Sequence, residues 1–253
     1  MTMIKRLALY ILLSLLPSPL MATLAVVQAA NNLSTAATAT TITVTTTSGN
    51  LLVILAAEGA NNTATVTISD SASQTWTQVG GYISPNTSSR TSMWYIPNSA
   101  SVTSITATWS NNPGSLSTTV RAVMYEISGA ATASPLETSN TSSSASVATT
   151  LTTGAITTSN ANDILIDGTN VGANQGTTWS TGAGFTLPSN STNDRVAMSY
   201  QVVSATQSSI ATSISWTSTA TSCVSIFAAF KASSGGAASA GANTQRKRER
   251  IDD

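Results

Sequence analysis

The chain has no histidine, one cysteine, three phenylalanines and only 8% charged residues over 253 positions. Soluble domains usually carry about 25% charge. Without histidine there is no Ser-His-Asp or Cys-His catalysis, no His-ligated zinc and no imidazole proton shuttle. A four-cysteine zinc site is excluded, and Cys223 has no partner for an intramolecular disulfide. Cys223 reads as a small buried hydrophobe in the last strand, which leaves stability to the core and the backbone ladder. Gly80-Gly81 and Gly182–Gly184 lack the Lys-Ser/Thr ending of a phosphate-binding loop.

Long hydrophobic runs are also missing beyond the leader, so no segment reads as a membrane-spanning helix. Lys5 and Arg6, the apolar run Leu7–Leu16, breaks at Pro17 and Pro19, and Leu20-Met21-Ala22 read as a secretory signal peptide over residues 1–22. Cleavage is expected after Ala22, with Ala29 or Ala30 as the alternative. No cysteine follows to carry a lipid.

Formal net charge is zero, but the charges are segregated. Between residues 23 and 232 the basic residues are Arg90, Arg121, Arg195 and Lys231. They face Glu58, Asp70, Glu126, Glu137, Asp163, Asp167 and Asp194. A mildly acidic body disfavours nucleic acid as a partner. Arg246, Lys247, Arg248 and Arg250 follow a Gly/Ala/Ser run, so residues 233–253 are expected to be a disordered linker and basic tail. Such a tail could meet anionic surfaces, although a solvated terminus is the commoner outcome.

What the chain does have is serine and threonine, about a third of all residues, with Val, Ile, Trp and Tyr in short alternating runs. Alternation of that kind indicates packed β structure rather than disorder. Thr41–Thr47 alternates, Ser48-Gly49-Asn50 turns the chain, and Leu51–Ala57 is a continuous apolar run of the kind buried on both faces. Thr63–Ser69 alternates again. Residues 23–232 are expected to form one all-β domain, a size usual for a single β-sandwich of roughly 200–250 residues.

The chain also resembles itself. Arg90-Thr91-Ser92-Met93-Trp94-Tyr95 recurs as Arg195-Val196-Ala197-Met198-Ser199-Tyr200. Thr75-Trp76-Thr77 matches Thr178-Trp179-Ser180, Trp109 matches Trp216, and Leu51–Ala57 matches Ile164–Gly168. The pattern predicts an internal repeat with halves of about 41–128 and 151–231. Each half holds five strands, with Thr63–Ser69 extra in the first. Thr132–Thr150 is expected to be the crossover, with an edge strand around Val147–Leu151. Two such halves predict a two-sheet antiparallel β-sandwich of jelly-roll type.

The segments "SGNLLVILAAEG", "VTISDSASQTW", "VMYEISGA" and "FAAFKA" resemble an uncharacterised secreted bacterial β-sandwich, jelly-roll-like domain family. Its pattern is a Gly-Asn-Leu-Leu strand, an Asp-Ser-Ala-Gly-Asn-x-Trp turn, a Glu-Tyr-Ser-Gly strand end and a closing Ala-Phe-Lys. The chain departs from it at Ser73-Gln74 and at Ile127. The resemblance implies an extracellular module and no established reaction.

Each candidate for chemistry has a structural alternative. Glycoside hydrolysis needs only two carboxylates, here drawn from Glu58, Asp167, Glu126 and Asp163. Glu58 and Asp167 fall at matching ends of the repeated opening strand, which favours a shared structural role. Asp70 in the polar turn Asp70–Gln74 is a weak calcium candidate, and the alternative is an Asx-type turn. Alternation turns Val196, Met198, Tyr200 and Val202 to the core, and Met93 and Tyr95 with them. Trp76, Trp109, Trp179 and Trp216 have counterparts and read as packing residues. Trp94, whose counterpart is Ser199, points the other way beside Arg90, so these two are the candidate ligand-binding pair. Asn-x-Ser/Thr sequons are expected by chance at this composition, and the Thr-x-Thr pairs do not stack as an ice-binding surface would.

The expectation is a secreted or cell-surface, non-catalytic binding module without a required cofactor, for carbohydrate or another extracellular surface polymer. The alternative is a structural subunit of an extracellular matrix, filament or virion fibre, and glycoside hydrolase is a distant third.

Overall fold

The computed structural model describes residues 23–35, 37–58, 64–83, 90–110, 119–146, 148–172, 178–220 and 222–234. Ala22–Ser233 form one compact unit. The described residues contain strands and no helix.

The first eight strands are β1 (Ala25–Thr35), β2 (Ala39–Thr43), β3 (Leu51–Glu58), β4 (Val66–Asp70), β5 (Thr77–Ile83), β6 (Arg90–Ile96), β7 (Ser104–Trp109) and β8 (Thr119–Ser128). Seven follow: β9 (Leu136–Ser144), β10 (Ala148–Thr152), β11 (Asp163–Val171), β12 (Trp179–Thr181), β13 (Val196–Val203), β14 (Ser213–Ala220) and β15 (Cys223–Lys231). They form four sheets, ordered β1-β8-β3-β6-β5, β2-β7-β4, β9-β15-β11-β13 and β10-β14-β12. Every neighbouring pair is antiparallel.

The sheet count therefore differs from the two expected, for a reason visible in β3. All eight of its residues are buried, so both faces need a cover. Leu51, Val53 and Leu55 meet Ile164, Ile166 and Phe230 of the other large sheet in a central cluster that also holds Met93, Tyr95 and Met198. Leu52 and Ile54 turn the opposite way, to Ile42 and Ile105 of the first small sheet. In the second half Val171 and Cys223 pack on Leu151, Ile214 and Trp216 of the other small sheet. A small sheet lies outside each large one, and the two large sheets meet in the middle.

The halves share an order. Numbered from the start of each half with β5 left out, β1-β8-β3-β6 and β9-β15-β11-β13 follow the same path, as do β2-β7-β4 and β10-β14-β12. Twin hydrogen bonds accompany it. Asn32 Nδ2 donates to Thr41 O at 2.7 Å, and Ser142 Oγ to Thr152 O at 2.8 Å. The Thr41 and Thr106 hydroxyls pair at 2.8 Å, and those of Thr152 and Ser213 at 2.9 Å. In both halves a polar side chain on the edge of the large sheet thus binds a backbone carbonyl of the small one.

Several expectations shift. The strand with no named counterpart is β5, since β12 occupies the place of β4. Trp179 lies opposite Trp216 as Val66 lies opposite Trp109, so Trp179 is not the positional twin of Trp76. The local Thr-Trp-Thr likeness misled because it carries no register. Thr132–Thr150 contains the strand β9 as well as most of β10. Polar β9 is held by its ladder to β15 with little help from apolar burial. Val202 shares the parity of Met198 but is 43% exposed, because it lies near the end of β13.

Candidate functional site

The unequal sheets of the first half create the first site. A five-stranded sheet is covered by three strands, and β4 is the edge of that cover. The outward faces of β5 and β6 therefore overhang it. Arg90, Ser92 and Trp94 alternate on this face while Thr91, Met93 and Tyr95 take the other parity. Arg90 and Ser92 line a pocket of about 90 Å³ with Thr65, Val66, Gln78 and Gly81. That is room for about three waters, or for one polar substituent of a larger ligand. Trp94 is half-buried against the cluster of Ile42 and Ile105, and its Nε1–H donates to Ser92 Oγ at 3.0 Å. The sequence-predicted pair Arg90 and Trp94 is thus brought to one strand face, with Ser92 between.

Glu58 stands directly across the ladder from Arg90. It is fully buried, and neither carboxylate oxygen has a hydrogen-bond donor. Burial pushes its pKa up to about 7, with the Arg90 charge pulling the other way. Asn170 Nδ2 crosses from β11 to Glu58 O at 3.0 Å, tying the corresponding ends of the two large sheets together.

The same end collects the other arginines. Arg121, opposite Ala57 in the ladder, is 1% exposed and grips Asp194 with two bonds of 2.6 Å. Arg121 Nη1 also donates to Thr119 O. Arg195 directly precedes β13, and its carbonyl accepts Val171 N at 2.9 Å. Of the four cations in the body, three are therefore at one end of the stack. Lys231 lies at the opposite end across the ladder from Asp163, where the chain bridges Ala130 to Ala232.

The remaining carboxylates do not form a pair with Glu58. Register places Met93 opposite Leu55 and Met198 opposite Gly168, so Asp167 occupies the position of Ile54 and not that of Glu58. Matching the two acids by strand end was wrong by several residues. Asp167 is buried inside the second half and accepts Ser225 Oγ at 2.6 Å and Thr169 Oγ1 at 3.1 Å. Burial raises its pKa to about 6 against those two bonds. Glu126 accepts Thr47 N at 2.7 Å, Asn50 Nδ2 at 2.6 Å and Gln28 Nε2, a set that fastens β8 to β1 and the β2–β3 turn. Asp163 is raised to about 6 by burial and by neighbouring Glu137. Hydrogen bonds from Ser159 and Asn160 hold Glu137 at about 2 despite its desolvation. Sequence reasoning missed the Glu137–Asp163 and Arg121–Asp194 relationships, because their partners are 26 and 73 residues apart with no shared motif.

Asp70 closes an Asx turn. Oδ1 accepts Ala72 N at 2.8 Å and Gln74 N at 3.3 Å, and Oδ2 accepts Trp76 Nε1 at 2.8 Å. Both oxygens are occupied. Among the described residues no three Cys, Asp or Glu side chains gather as a metal site would require. Cys223 is buried, and burial raises its thiol pKa.

No family model, no curated protein and no solved structure matches this chain.

Proposed function

We propose that the chain is a secreted or cell-surface, non-catalytic binding module for carbohydrate or another surface polymer, with its ligand on the β5–β6 overhang. The observation that carries this reading is the pocket lined by Arg90 and Ser92, with half-buried Trp94 next on the same strand face and hydrogen-bonded to Ser92. A cation, a hydroxyl, an exposed amide at Gln78 and an aromatic edge are the groups that recognise sugar hydroxyl or acid substituents. The fold behind it reads as two jelly-roll-like sandwiches derived from one repeat and packed back to back. The shared strand order and the twin hydrogen bonds support that reading. So does the likeness to the secreted bacterial β-sandwich family.

A glycan array with the wild type, Arg90→Gln, Trp94→Ala and the exposed-site variant Gln78→Ala tests it, with melting curves to check folding. Signal should vanish in the first two variants and weaken in the third. No signal on any glycan, or signal indifferent to all three, defeats the proposal.

The structural-subunit reading rests on a different strand. β1 is an uncharged eleven-residue edge carrying Val27 (51% exposed) and Leu33 (41% exposed). Uncharged edges of that length invite lateral pairing. Concentration-dependent assembly by sedimentation, abolished by Val27→Lys, would favour it.

A further inference from the structure

The two large sheets differ in width. Five strands face four, and β13, an edge of the narrower sheet, lies against β8. That leaves β1 to be faced by residues 186–192, which are held to β13 by isolated bridges at Tyr200 and Ala197. Between this segment and β1 is an open cleft of about 430 Å³. Small-ligand sites usually run from about 300 to 1,000 Å³.

One wall is the edge of β1. Val26, Val27, Gln28 and Ala29 all line the cleft. A cavity over one strand face would meet alternate residues, so four in succession mean that it runs along the backbone edge. The ladder to β8 steps from Val26 to Gln28, and bulged Val27, 51% exposed, stands without a partner in it. The Gln28 amide is drawn off to Thr45 O and Glu126. The floor is half-buried Tyr200, packed with Val26 and Ala29 on the central cluster and set edge-on to Tyr125 at 5.9 Å.

The other wall is a rigid turn. Ser191 N and Oγ both donate to Pro188 O, at 3.2 and 2.6 Å. Asn190 takes φ 64° there, and its carbonyl accepts Asn31 Nδ2 from β1 at 3.0 Å, which clips the walls together. Ser189 and Asn190 are exposed on the rim.

This lining selects its ligand. Among the described residues none that lines the cleft is charged, so a charged group would find no counter-ion. An added peptide strand needs a regular edge, and the bulge interrupts it. A sugar ring offers C–H faces to Tyr200 and Pro188, and hydroxyls that both donate and accept to the β1 edge and the Ser189 and Asn190 side chains. We propose that the cleft between β1 and residues 186–192 binds a neutral saccharide unit. The assignment rests on the carbohydrate-binding reading for its ligand class and adds a separate site. Val26 aligns through Ile127 with Leu51 at the start of β3, whereas Arg90 aligns with Glu58 at its end, beyond β3 from β1.

Backbone amide NMR and calorimetry on the full chain test it with cellohexaose, xylohexaose, mannohexaose and N-acetylchitohexaose. Ser189→Trp fills the cleft from an exposed position, and Asn190→Gly removes the amide while accepting the positive φ. Melting curves check that both fold. At least one sugar should shift the Val27, Ser189 and Asn190 amides. Ser189→Trp should abolish that binding, Asn190→Gly should weaken it about three- to tenfold, and Arg90→Gln should leave it unchanged. Shifts confined to Arg90, Ser92 and Trp94 overturn the cleft and leave the β5–β6 site standing. Shifts confined to the cleft support it and defeat the β5–β6 placement. Val27 shifts that follow protein concentration and not sugar assign this edge to a second copy and overturn the proposal, as does the absence of any shift at these amides.

Discussion

Gly168 faces Leu55 across the contact between the two large sheets, so closely that a Cβ on the glycine would stand 2.6 Å from Leu55 Cδ1. Ladder register makes these the equivalent positions of the two halves. Two leucines could not occupy that space, and two glycines would leave a void. One of each fills it. Gly168→Ala should therefore cost about 1–3 kcal/mol by overpacking. Leu55→Ala should relieve it, so the double mutant in urea denaturation should be more stable than the two single effects summed. Additive effects would show that the contact is not specific.

Arg121 and Asp194 supply a second test. Replacing Asp194 by Ala strands a guanidinium that is 1% exposed, and removing one partner of a buried pair costs about 3–5 kcal/mol. Arg121→Met combined with Asp194→Ala should recover part of that loss. Chemical denaturation of Asp194→Ala, Arg121→Met and the double variant reads the coupling directly.

Stability should also fall as the pH rises through the mildly acidic range. Glu58 binds its proton up to about pH 7 in the fold against 4.5 for the ordinary value, so the folded state holds more protons than the unfolded one between them. The penalty grows from about pH 4.5 and levels off above 7. Asp163 and Asp167, both at about 6, add to it from the ordinary value of 3.8 upward. Glu58→Gln should flatten the upper part of this slope and raise the melting temperature at pH 8. A Glu58→Gln profile parallel to the wild type between pH 5 and 8 would refute it.

Glu137 acts with the opposite sign. Held at about 2, it contributes stability above its ordinary value of 4.5 that is lost as the pH falls toward 2. Glu137→Gln should weaken the protein at neutral pH and narrow the gap to the wild type in acid. Melting curves from pH 2 to 7 check both ends.

Calcium should do nothing at the Asp70 turn, whose oxygens already accept backbone and indole N–H groups. Melting temperature should not differ between millimolar calcium and chelator. Asp70→Ala should cost about 1–3 kcal/mol, because the Trp76 indole N–H loses its acceptor.

Much of this fold could be read from alternation. The unbroken run Leu51–Ala57 announced a strand covered on both faces, and the parity of Met93 and Tyr95 placed them inward. Carried further, that double burial implied more than two layers. Register was the illegible part. A residue's neighbours along the chain report which face it occupies but not which residue stands opposite, so Glu58 was matched with Asp167, and Trp76 with Trp179. Side chains that meet across many residues, such as Arg121 and Asp194, leave no mark on local pattern at all. Trp94 and Arg90 stand out in the sequence as a tryptophan without a twin and its neighbour on the strand face, but register leaves Trp179 without a tryptophan twin as well, since it takes the place of Val66.

With the arginines gathered at one end and Lys231 among acids at the other, the body has a preferred heading. Drifting toward a negatively charged polymer, it would turn its arginine end forward before any contact forms. That guidance reaches only about 8 Å at physiological salt and shortens as salt rises, so capture should slow in brine even where the final grip is unchanged.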